Sequence, residues 1–257
     1  MSEINLNADV GESYGRFKVG NDEAMMKAIA SASIACGFHA GDPTVMANAV
    51  RLAREHGVSV GAHPSFHDIE GFGRRRIRMA AKEVEHMVAY QIGALAGLAA
   101  GAGVKVTHVK PHGALNNMAH EDAGYARAIA RAIRAVDREL IYVANACSAM
   151  VNAGRDEGLR VAVEAYADRL YEDDGQLASR ETADAMITDP ERAIRQVMTF
   201  IEEGAIVSRN GVKLPARIHT FCVHGDEASG VAVAAGLRAA LEARGISVVP
   251  LPEMAFS

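Results

Sequence analysis

Residues 33–43 read S-I-A-C-G-F-H-A-G-D-P, which predicts a buried strand, a short loop and the first turn of a helix. Residues 34–36 are the apolar end of the strand. Asp42 is a good N-cap, and Pro43 suits the first helical position because the N–H that proline lacks has no partner there. His39 is therefore expected on the loop just past the carboxyl end of a strand, where α/β folds place their chemistry.

The same alternation of strand and helix recurs along the whole chain. Apolar runs bounded by polar residues predict strands at 4–8, 33–37, 58–62, 105–109, 140–144, 160–165, 217–223 and 246–250. Apolar residues at helical spacing predict helices at 23–32, 43–56, 80–100, 125–136, 149–157 and 233–241, with another that begins at 189. The turn Asn210-Gly211 predicts a hairpin over 204–215.

Seven or eight strand-then-helix units in 257 residues predict either a (β/α) barrel or a doubly wound sheet. An open sheet usually concentrates its site at one switch point. In this chain, polar residues follow nearly every predicted strand: Asp9 and Glu12, His39, His63, Lys110 and His112, Asp168 and Arg169, and His224 and Asp226. A closed barrel brings all these loops together. We therefore predict one α/β barrel domain over 1–257, with seven or eight mostly parallel strands.

Composition limits the partners that this chain is expected to bind. A formal net charge of −5 and a pI near 6.1 argue against nucleic acid and anionic membranes. The uncharged stretch 87–104 is rich in Ala and Gly, which predicts a closely packed helix and not a membrane span. The first residues lack a signal-peptide pattern. Cys36, Cys147 and Cys222 are expected to be small buried hydrophobes in a reducing compartment.

The sequence Lys110-Pro111-His112-Gly113 directly follows an apolar strand and is expected to place two titratable groups at the mouth of the barrel. The alternative is a lysine that reaches solvent beside a capping histidine. His39, His63 and His224 share the same position relative to their strands. Each of them taken alone is equally consistent with a hydrogen-bonded structural role, but the shared position favours one common site.

Other residues have the right chemistry for a metal or an anion. Asp9, His39 and His63 offer a three-ligand site for a divalent metal, although their spacing neither supports nor excludes one. Arg74 begins the run R-R-R and is suited to hold a carboxylate or phosphate, unless the run is a solvated basic turn. Glu164, with the pair Asp168-Arg169, is expected to orient the lysine or a histidine. No Gly-Lys dipeptide occurs, which excludes a Walker A loop.

With these residues considered, the chain resembles the LamB/YcsF family, the A subunits of bacterial ATP-dependent 5-oxoprolinase. The matching segments run in order from one end of the chain to the other: L-N-A-D-V-G-E-S (6–13), I-A-C-G-F-H-A-G-D-P (34–43), G-A-H-P-S-F (61–66), G-F-G-R-R (71–75), V-K-P-H-G-A-L (109–115), E-A-Y-A-D-R-L-Y (164–171) and C-V-H-G-D (222–226). No single segment is specific, but together they are.

The resemblance implies a distorted TIM-like barrel related to glycoside hydrolase/deacetylase folds. It also implies a cytoplasmic enzyme that works with subunits B and C to open 5-oxoproline to glutamate, with ATP as a co-substrate held here or by a partner. Two alternatives stay open. One is a stand-alone metal-dependent amidase or deacetylase, and the other is a non-catalytic subunit that binds the lactam.

For the lactam reaction we expect the following roles. Asp9 with His63 or His112 would position and deprotonate the water, and Lys110 with His39 would stabilise negative charge on oxygen. His224 would act on the leaving nitrogen, with Asp226 fixing its tautomer. The expected substrate-binding residues are Glu12, Arg74, Glu164 and Arg169, of which Arg74 or Arg169 would hold the carboxylate.

Overall fold

The computed structural model describes residues 3–180, 182, 185–225 and 229–256, and its centre is a ring of parallel strands. In chain order, the strands are β1 (Glu3–Val10), β2 (Ser31–Ala35), β3 (Ser59–His63), β4 (Val106–Val109), β5 (Ile141–Asn145), β6 (Arg160–Tyr166), β7 (Ala205–Val207), β8 (Lys213–Pro215), β9 (Thr220–Val223) and β10 (Ser247–Val248). The order around the ring is β1-β2-β3-β4-β5-β6-β9.

The ring closes because β9 pairs in parallel with β1, in a register that sets Phe221 opposite Leu6. The predicted barrel is thus confirmed, with seven strands. The predicted final strand exists as β10, but it pairs only with the first two residues of β1 and is not a full strand of the barrel. The predicted hairpin is the antiparallel pair β7–β8.

Helices cover the outside of the ring. They are α1 (Asp22–Met26), α2 (Pro43–His56), α3 (Ala81–Gly101), α4 (Gly113–Glu121), α5 (Ala123–Val136), α6 (Ala149–Asp156), α7 (Pro190–Glu203) and α8 (Gly230–Glu242), and a 3₁₀ turn follows at Leu251–Glu253. The expected cap of α2 is confirmed, since Asp42 Oδ1 accepts hydrogen bonds from the N–H groups of Thr44 and Val45. None of the described helices is long and apolar enough to cross a membrane.

Two helix predictions differ from the structure. The predicted helix 23–32 is wrong beyond Met26, because Ala30 already donates its N–H to Leu6 and Ser31 begins the strand beside β1. Pairing with β1 overrides the helical pattern there. The helix α4 was not predicted; it begins at Gly113, which takes a positive φ of 56°.

Successive side chains of a strand point to opposite faces, and in β1 the outer face is apolar and the inner face polar. In β1, Ile4, Leu6 and Ala8 belong to the main hydrophobic cluster beneath the helices. Asn5 and Asn7 instead hydrogen-bond across the interior, where both contact Thr220. The interior beside β1 is therefore a connected polar network.

The two ends of the barrel differ. At the amino ends of the strands, Leu251 is fully buried in a small cluster with Ile141, Val143 and Ala162, and its N–H donates to Ser31 Oγ. The C-terminal segment thus closes this end. The carboxyl ends of the strands open into a cavity of about 470 Å³.

The expected burial of the cysteines is correct for two of the three. Cys36 and Cys222 are buried, and Cys147 is exposed. Cys147 follows the end of β5 and takes a positive φ of 61°, so it lies in a surface turn and not in the core.

Candidate active site

The cavity at the carboxyl ends of the strands brings together most of the residues that the sequence singles out. Seven of them line it: Asp9, Glu12, His63, Arg74, His112, Arg169 and His224. Three more lie directly beside these in the buried interior: His39, Lys110 and Glu164. Asp226 lies outside the described residues. The expected convergence around one mouth is found for all the others.

Lys110 is buried at the centre of the barrel, with 1% of its surface exposed. Its Nζ donates to Asp9 Oδ1 at 2.7 Å, to Asn7 Oδ1 at 3.2 Å and to Cys222 Sγ at 2.8 Å, and Glu164 Oε1 lies 3.3 Å away. Burial opposes the charged form, but the carboxylates outweigh it and hold the pKa of Lys110 well above its usual value. Lys110 is a fixed buried cation, not a lysine that reaches solvent.

Asp9 joins this cation to the histidines. Its Oδ1 lies 2.7 Å from Lys110 Nζ and 3.3 Å from His63 Nε2. Burial alone would raise the pKa of Asp9, but the nearby His63 and Lys110 lower it well below its usual value. The carboxylate is thus held ionised at the floor of the cavity.

Glu12 and three histidines form a compact buried group next to Asp9. One ligand atom from each of Glu12, His39, His63 and His112 lies within 4.8 Å of the other three. His39 Nε2 is 3.0 Å from Glu12 Oε1, and the rings of His39 and His112 stack at 3.8 Å. The candidate metal set proposed from the sequence contained Asp9; in the structure, Glu12 and His112 stand with His39 and His63 instead.

The hydrogen bonds of two histidines determine which ring nitrogens are bare. His63 Nδ1 donates to the carbonyl of Lys110 at 2.6 Å, and His112 Nε2 donates to the carbonyl of Phe72 at 2.8 Å. The other nitrogens, His63 Nε2 and His112 Nδ1, face each other at 3.0 Å. Burial, followed by the neighbouring histidines, holds the pKa of His112 well below its usual value, which favours the neutral ring.

The long loop 65–78 closes over these histidines. Phe72 takes a positive φ of 53°, which carries its carbonyl to His112. At Gly73, an added Cβ would lie 2.8 Å from both His112 Cδ2 and His39 Cβ. Only glycine fits there.

The three arginines of the basic run in this loop have different positions and contacts. Arg75 pairs with the buried carboxylate of Asp68 and holds the loop together, whereas Arg74 and Arg76 line the cavity. Arg76 also pairs with Glu121 on α4. The run as a whole is therefore not one clamp.

On the opposite wall, His224 is held by Asp168. The backbone N–H of His224 donates to Asp168 Oδ2 at 2.8 Å, and its ring Nδ1 donates to Oδ1 at 2.9 Å. Burial would raise the pKa of Asp168, but the charge of His224 and these hydrogen bonds lower it. The ring of Tyr166 stacks on that of His224. Lys110 Nζ lies over the same tyrosine ring, 5.3 Å from its centroid. Asp168 thus occupies the orienting position that was expected for Asp226.

Arg169 reaches the cavity from the next residue. Its side chain is buried, and its Nε has no hydrogen-bond partner within the described part of the chain. Burial, together with the charge of Arg180, lowers the pKa of Arg169. A buried guanidinium N–H with no acceptor beside a cavity is suited to an anionic group of a ligand.

Taken together, the site can hold an ionised carboxylate beside a cation and neutral histidines, with a paired histidine across the cavity. Such a set can polarise a carbonyl, activate water and deliver a proton. A sequence profile of the LamB/YcsF family matches residues 4–256. The chain belongs to the LamB/YcsF family.

The relatives of this LamB/YcsF chain include two proteins of similar length. The 5-oxoprolinase A subunit of Rhodopseudomonas palustris (strain BisB5) is 52% identical over 249 residues, which cover 96% of this chain and 98% of the relative. The 5-oxoprolinase A subunit of Natranaerobius thermophilus is 50% identical over 251 residues, with 98% of each covered. Both matches therefore extend over nearly the whole of each chain.

Solved structures agree with this assignment. The lactam utilization protein of Thermus thermophilus has a TM-score of 0.90 and 43% identity, and covers 97% of this chain and 100% of its own. The catalytic domain of a peptidoglycan N-acetylglucosamine deacetylase from Eubacterium rectale has a TM-score of 0.54 at 10% identity, covering 100% and 90%. The second likeness concerns the fold alone, and it confirms the expected deacetylase-like, distorted TIM-like barrel.

Some site residues of the LamB/YcsF chain were not predicted. Tyr166 and Asn7 lie within apolar-looking strands, and only the period of two marks them as inward-facing. Asn116 and Gln176 line the cavity from α4 and from the loop after β6. No local sequence pattern marks these two polar residues as part of a site, because only the closed barrel brings them to the mouth of the cavity.

Proposed function

We propose that this chain opens the lactam ring of 5-oxo-L-proline to L-glutamate, as the A subunit of an ATP-dependent 5-oxoprolinase with partner subunits B and C. The observation that carries the proposal is the buried Asp9–Lys110 pair beside His63 at the floor of the cavity. The choice of substrate is supported by relatives of about 50% identity that are named as 5-oxoprolinase A subunits.

A five-membered lactam is an unstrained amide and a poor electrophile. Its opening needs an activated carbonyl, a deprotonated water and a proton for the leaving nitrogen. Transfer of the γ-phosphoryl group of ATP to the amide oxygen would release ADP and activate the carbon, after which one water adds and the C–N bond breaks to leave an acyl phosphate. A second water then hydrolyses the acyl phosphate to glutamate and inorganic phosphate. Because the sequence has no Walker A loop, we assign ATP binding to a partner subunit.

On the floor of the cavity, Asp9 with His63 holds the attacking water and takes its proton. Asp9 stays ionised at neutral pH, as this role requires. The charge of Lys110, 2.7 Å from Asp9, stabilises negative charge that develops on oxygen. Glu164 keeps the lysine in place from beneath.

On the far wall, His224 delivers the proton to the leaving nitrogen. Its Nδ1–H is held by Asp168, which orients the ring so that its other nitrogen serves the cavity. Arg169, whose Nε has no partner among the described residues, binds the substrate carboxylate, and Arg74 supports it from the loop 65–78.

The test is an assay for ADP and glutamate formed from 5-oxoproline, with and without subunits B and C. We expect turnover only with all three subunits and ATP. Asp168→Asn should lower kcat by about 10²–10⁴-fold, because it removes the orientation of His224. If the full set of subunits forms ADP but no glutamate, lactam opening by this complex is excluded.

A stand-alone metal-dependent amidase or deacetylase is the second candidate, and the Glu12–histidine group is the observation in its favour. Such an enzyme can be distinguished from the ATP-dependent complex by assay, because it needs neither ATP nor partner subunits. Hydrolysis of an amide by this chain alone, unaffected by ATP, would favour it over the first proposal.

A further inference from the structure

We propose that Glu12, His39, His63 and His112 form a binding site for one divalent transition-metal ion of the zinc class. All four side chains are buried, and their ligand atoms lie within 4.8 Å of one another. Three imidazoles and one carboxylate are a donor set that Zn²⁺ and its neighbours favour. The inference deepens the proposed function and rests on it for the role of the ion.

Three of the six separations between the donor atoms are close to those of a tetrahedral site. Metal–ligand bonds of about 2.0–2.1 Å place the corners of a tetrahedron about 3.3 Å apart. Here His39 Nε2 and Glu12 Oε1 are 3.0 Å apart, His63 Nε2 and His112 Nδ1 are 3.0 Å apart, and His112 Nδ1 and Glu12 Oε1 are 3.5 Å apart. These three separations are close to ligand-to-ligand distances, and the other three lie within 4.8 Å. Because the rings of His39 and His112 are stacked at 3.8 Å and nearly parallel, one of them must tilt for both nitrogens to point at one ion.

The outer hydrogen bonds of two histidines have the form that metal sites require. A ligating histidine usually donates its second ring N–H to a carbonyl or carboxylate, which orients the ring. His63 does so to the carbonyl of Lys110, and His112 to the carbonyl of Phe72. The unusual φ of Phe72 has a reason in this arrangement, because it points that carbonyl at His112. Both rings therefore present bare nitrogens to the same point.

A shared proton is the alternative occupant of this point, but a proton bridges only two nitrogen atoms, whereas four donor atoms converge here within 4.8 Å of one another. Without a cation, two lone pairs would face each other at 3.0 Å. The carboxylates of Asp9 and Glu12 also lie 3.3 Å and 3.5 Å from the bare ring nitrogens of His63 and His112. A divalent cation satisfies both the lone pairs and the charge.

Asp9 lies beside the four ligands but is not one of them, because it is paired with Lys110. Its Oδ1 is engaged by Lys110 Nζ at 2.7 Å, although it lies only 3.3 Å from His63 Nε2. Asp9 thus stands beside the ion. When the ion is bound, Asp9 alone would accept the proton of water, because His63 then has no free ring nitrogen. The ion would supply Lewis-acid activation of water or of the lactam oxygen.

Metal binding is tested first on the full chain, produced without a histidine tag. The protein is stripped with a chelator, incubated with Zn²⁺, desalted and analysed for metal. We expect about one ion per chain and a higher Tm in the loaded protein. Co²⁺ in place of Zn²⁺ should give the strong visible bands of a tetrahedral centre. A folded wild-type chain that retains no Zn²⁺ would overturn the proposal.

Variants locate the ion. His112→Asn and Glu12→Gln should each weaken Zn²⁺ binding at least tenfold, with circular dichroism used to confirm the fold. The matched control is His86→Asn on the exposed face of α3, which should keep the wild-type stoichiometry. Equal retention by all three variants would place the metal elsewhere and overturn the site.

The readout is independent of lactam chemistry. Zn²⁺ bound at one equivalent by a chain that opens no lactam with its partners would support the metal site and reject the proposed function. Full lactam turnover by a complex that neither contains nor retains metal would support the proposed function and reject the metal site.

Discussion

At the scale of single residues, Lys110 shows how a charge is held inside a barrel. A buried ammonium loses its hydration, and its ion pairs offset that loss only where the geometry is good and the remaining hydrogen bonds are made. Lys110 Nζ has Asp9, Asn7, Cys222 and Glu164 around it within 3.3 Å. Removing the lysine would leave two carboxylates buried without a counter-charge.

Lys110→Met is therefore expected to destabilise the protein by about 3–5 kcal/mol and to abolish turnover. Urea unfolding and the ADP–glutamate assay measure the two effects. Lys105→Met, at an exposed lysine just before β4, is the matched control and should change neither. A Lys110→Met protein as stable and as active as the wild type would contradict the electrostatic argument.

His219, which lies far from the cavity, is expected to make the stability of the protein depend on pH. Its Nδ1 accepts the N–H of Val163 at 3.0 Å, and burial, with the charges of Arg217 and Arg155, lowers its pKa to about 4. The unfolded chain, with a histidine pKa near 6.5, takes up a proton earlier on acidification. The stability that His219 contributes is thus present above pH 6.5 and falls as the pH drops towards 4.

We expect His219→Asn, which keeps an acceptor for Val163, to remove this part of the pH dependence. Between pH 7 and pH 5 the wild type should lose about 2 kcal/mol more unfolding free energy than the variant. Urea titrations at both pH values measure it. The exposed His56→Asn should behave as the wild type does, and parallel pH curves for His219→Asn and wild type would refute the assignment.

At the scale of elements, the loop 65–78 packs onto the site with almost no free space. Gly73 lies against two of the buried histidines, and the backbone of Phe72 is bent to reach one of them. The loop is anchored by Asp68, which accepts hydrogen bonds from Arg75 and from the N–H of Gly71. It is better described as a fixed wall of the site than as a mobile lid.

Gly73→Ala is expected to lower kcat/KM at least tenfold, about 1.4 kcal/mol, because the new methyl group displaces His39 and His112. Gly103→Ala is the matched control, since Gly103 also has a positive φ but its Cβ would meet nothing within 4 Å. The control should lose only about 1–2 kcal/mol of stability and no activity. Equal activity losses in both would show that backbone strain, not the clash, is responsible.

At the scale of the whole molecule, the two ends of the barrel have separate tasks. The carboxyl end holds the cavity, and the amino end is closed by the segment that contains Leu251. Between them runs the polar interior, in which Asn7 contacts both Thr220 and Glu164. Stability and activity should therefore respond separately to changes at opposite ends.

Leu251→Ala tests this separation. Loss of the fully buried side chain should cost about 2–5 kcal/mol, while the kcat and KM of the folded protein with its partners stay unchanged. Differential scanning calorimetry and steady-state kinetics provide the two measurements. Glu253→Ala, exposed in the same turn, should affect neither. A large loss of kcat in the folded Leu251→Ala protein would show that the ends are coupled.

Much of this architecture could be predicted because its causes are local. Alternation in residues 4–8 separates an apolar face from Asn5 and Asn7, and Asp42-Pro43 starts a helix wherever it stands. A residue such as His39 that follows a strand must lie near the strand's carboxyl end. The strand positions, the barrel and the common mouth all follow from such short-range patterns.

Tertiary structure alone decided closure after seven strands, the pairing of His224 with Asp168 and the meeting of Glu12 with three histidines. These contacts join residues dozens of positions apart, such as His224 and Asp168, which are 56 positions apart. Their geometry depends on strand stagger and on the path of loops such as 65–78, which side-chain periodicity does not encode. A sequence pattern sets which way a side chain faces, whereas only the closed barrel sets what it meets.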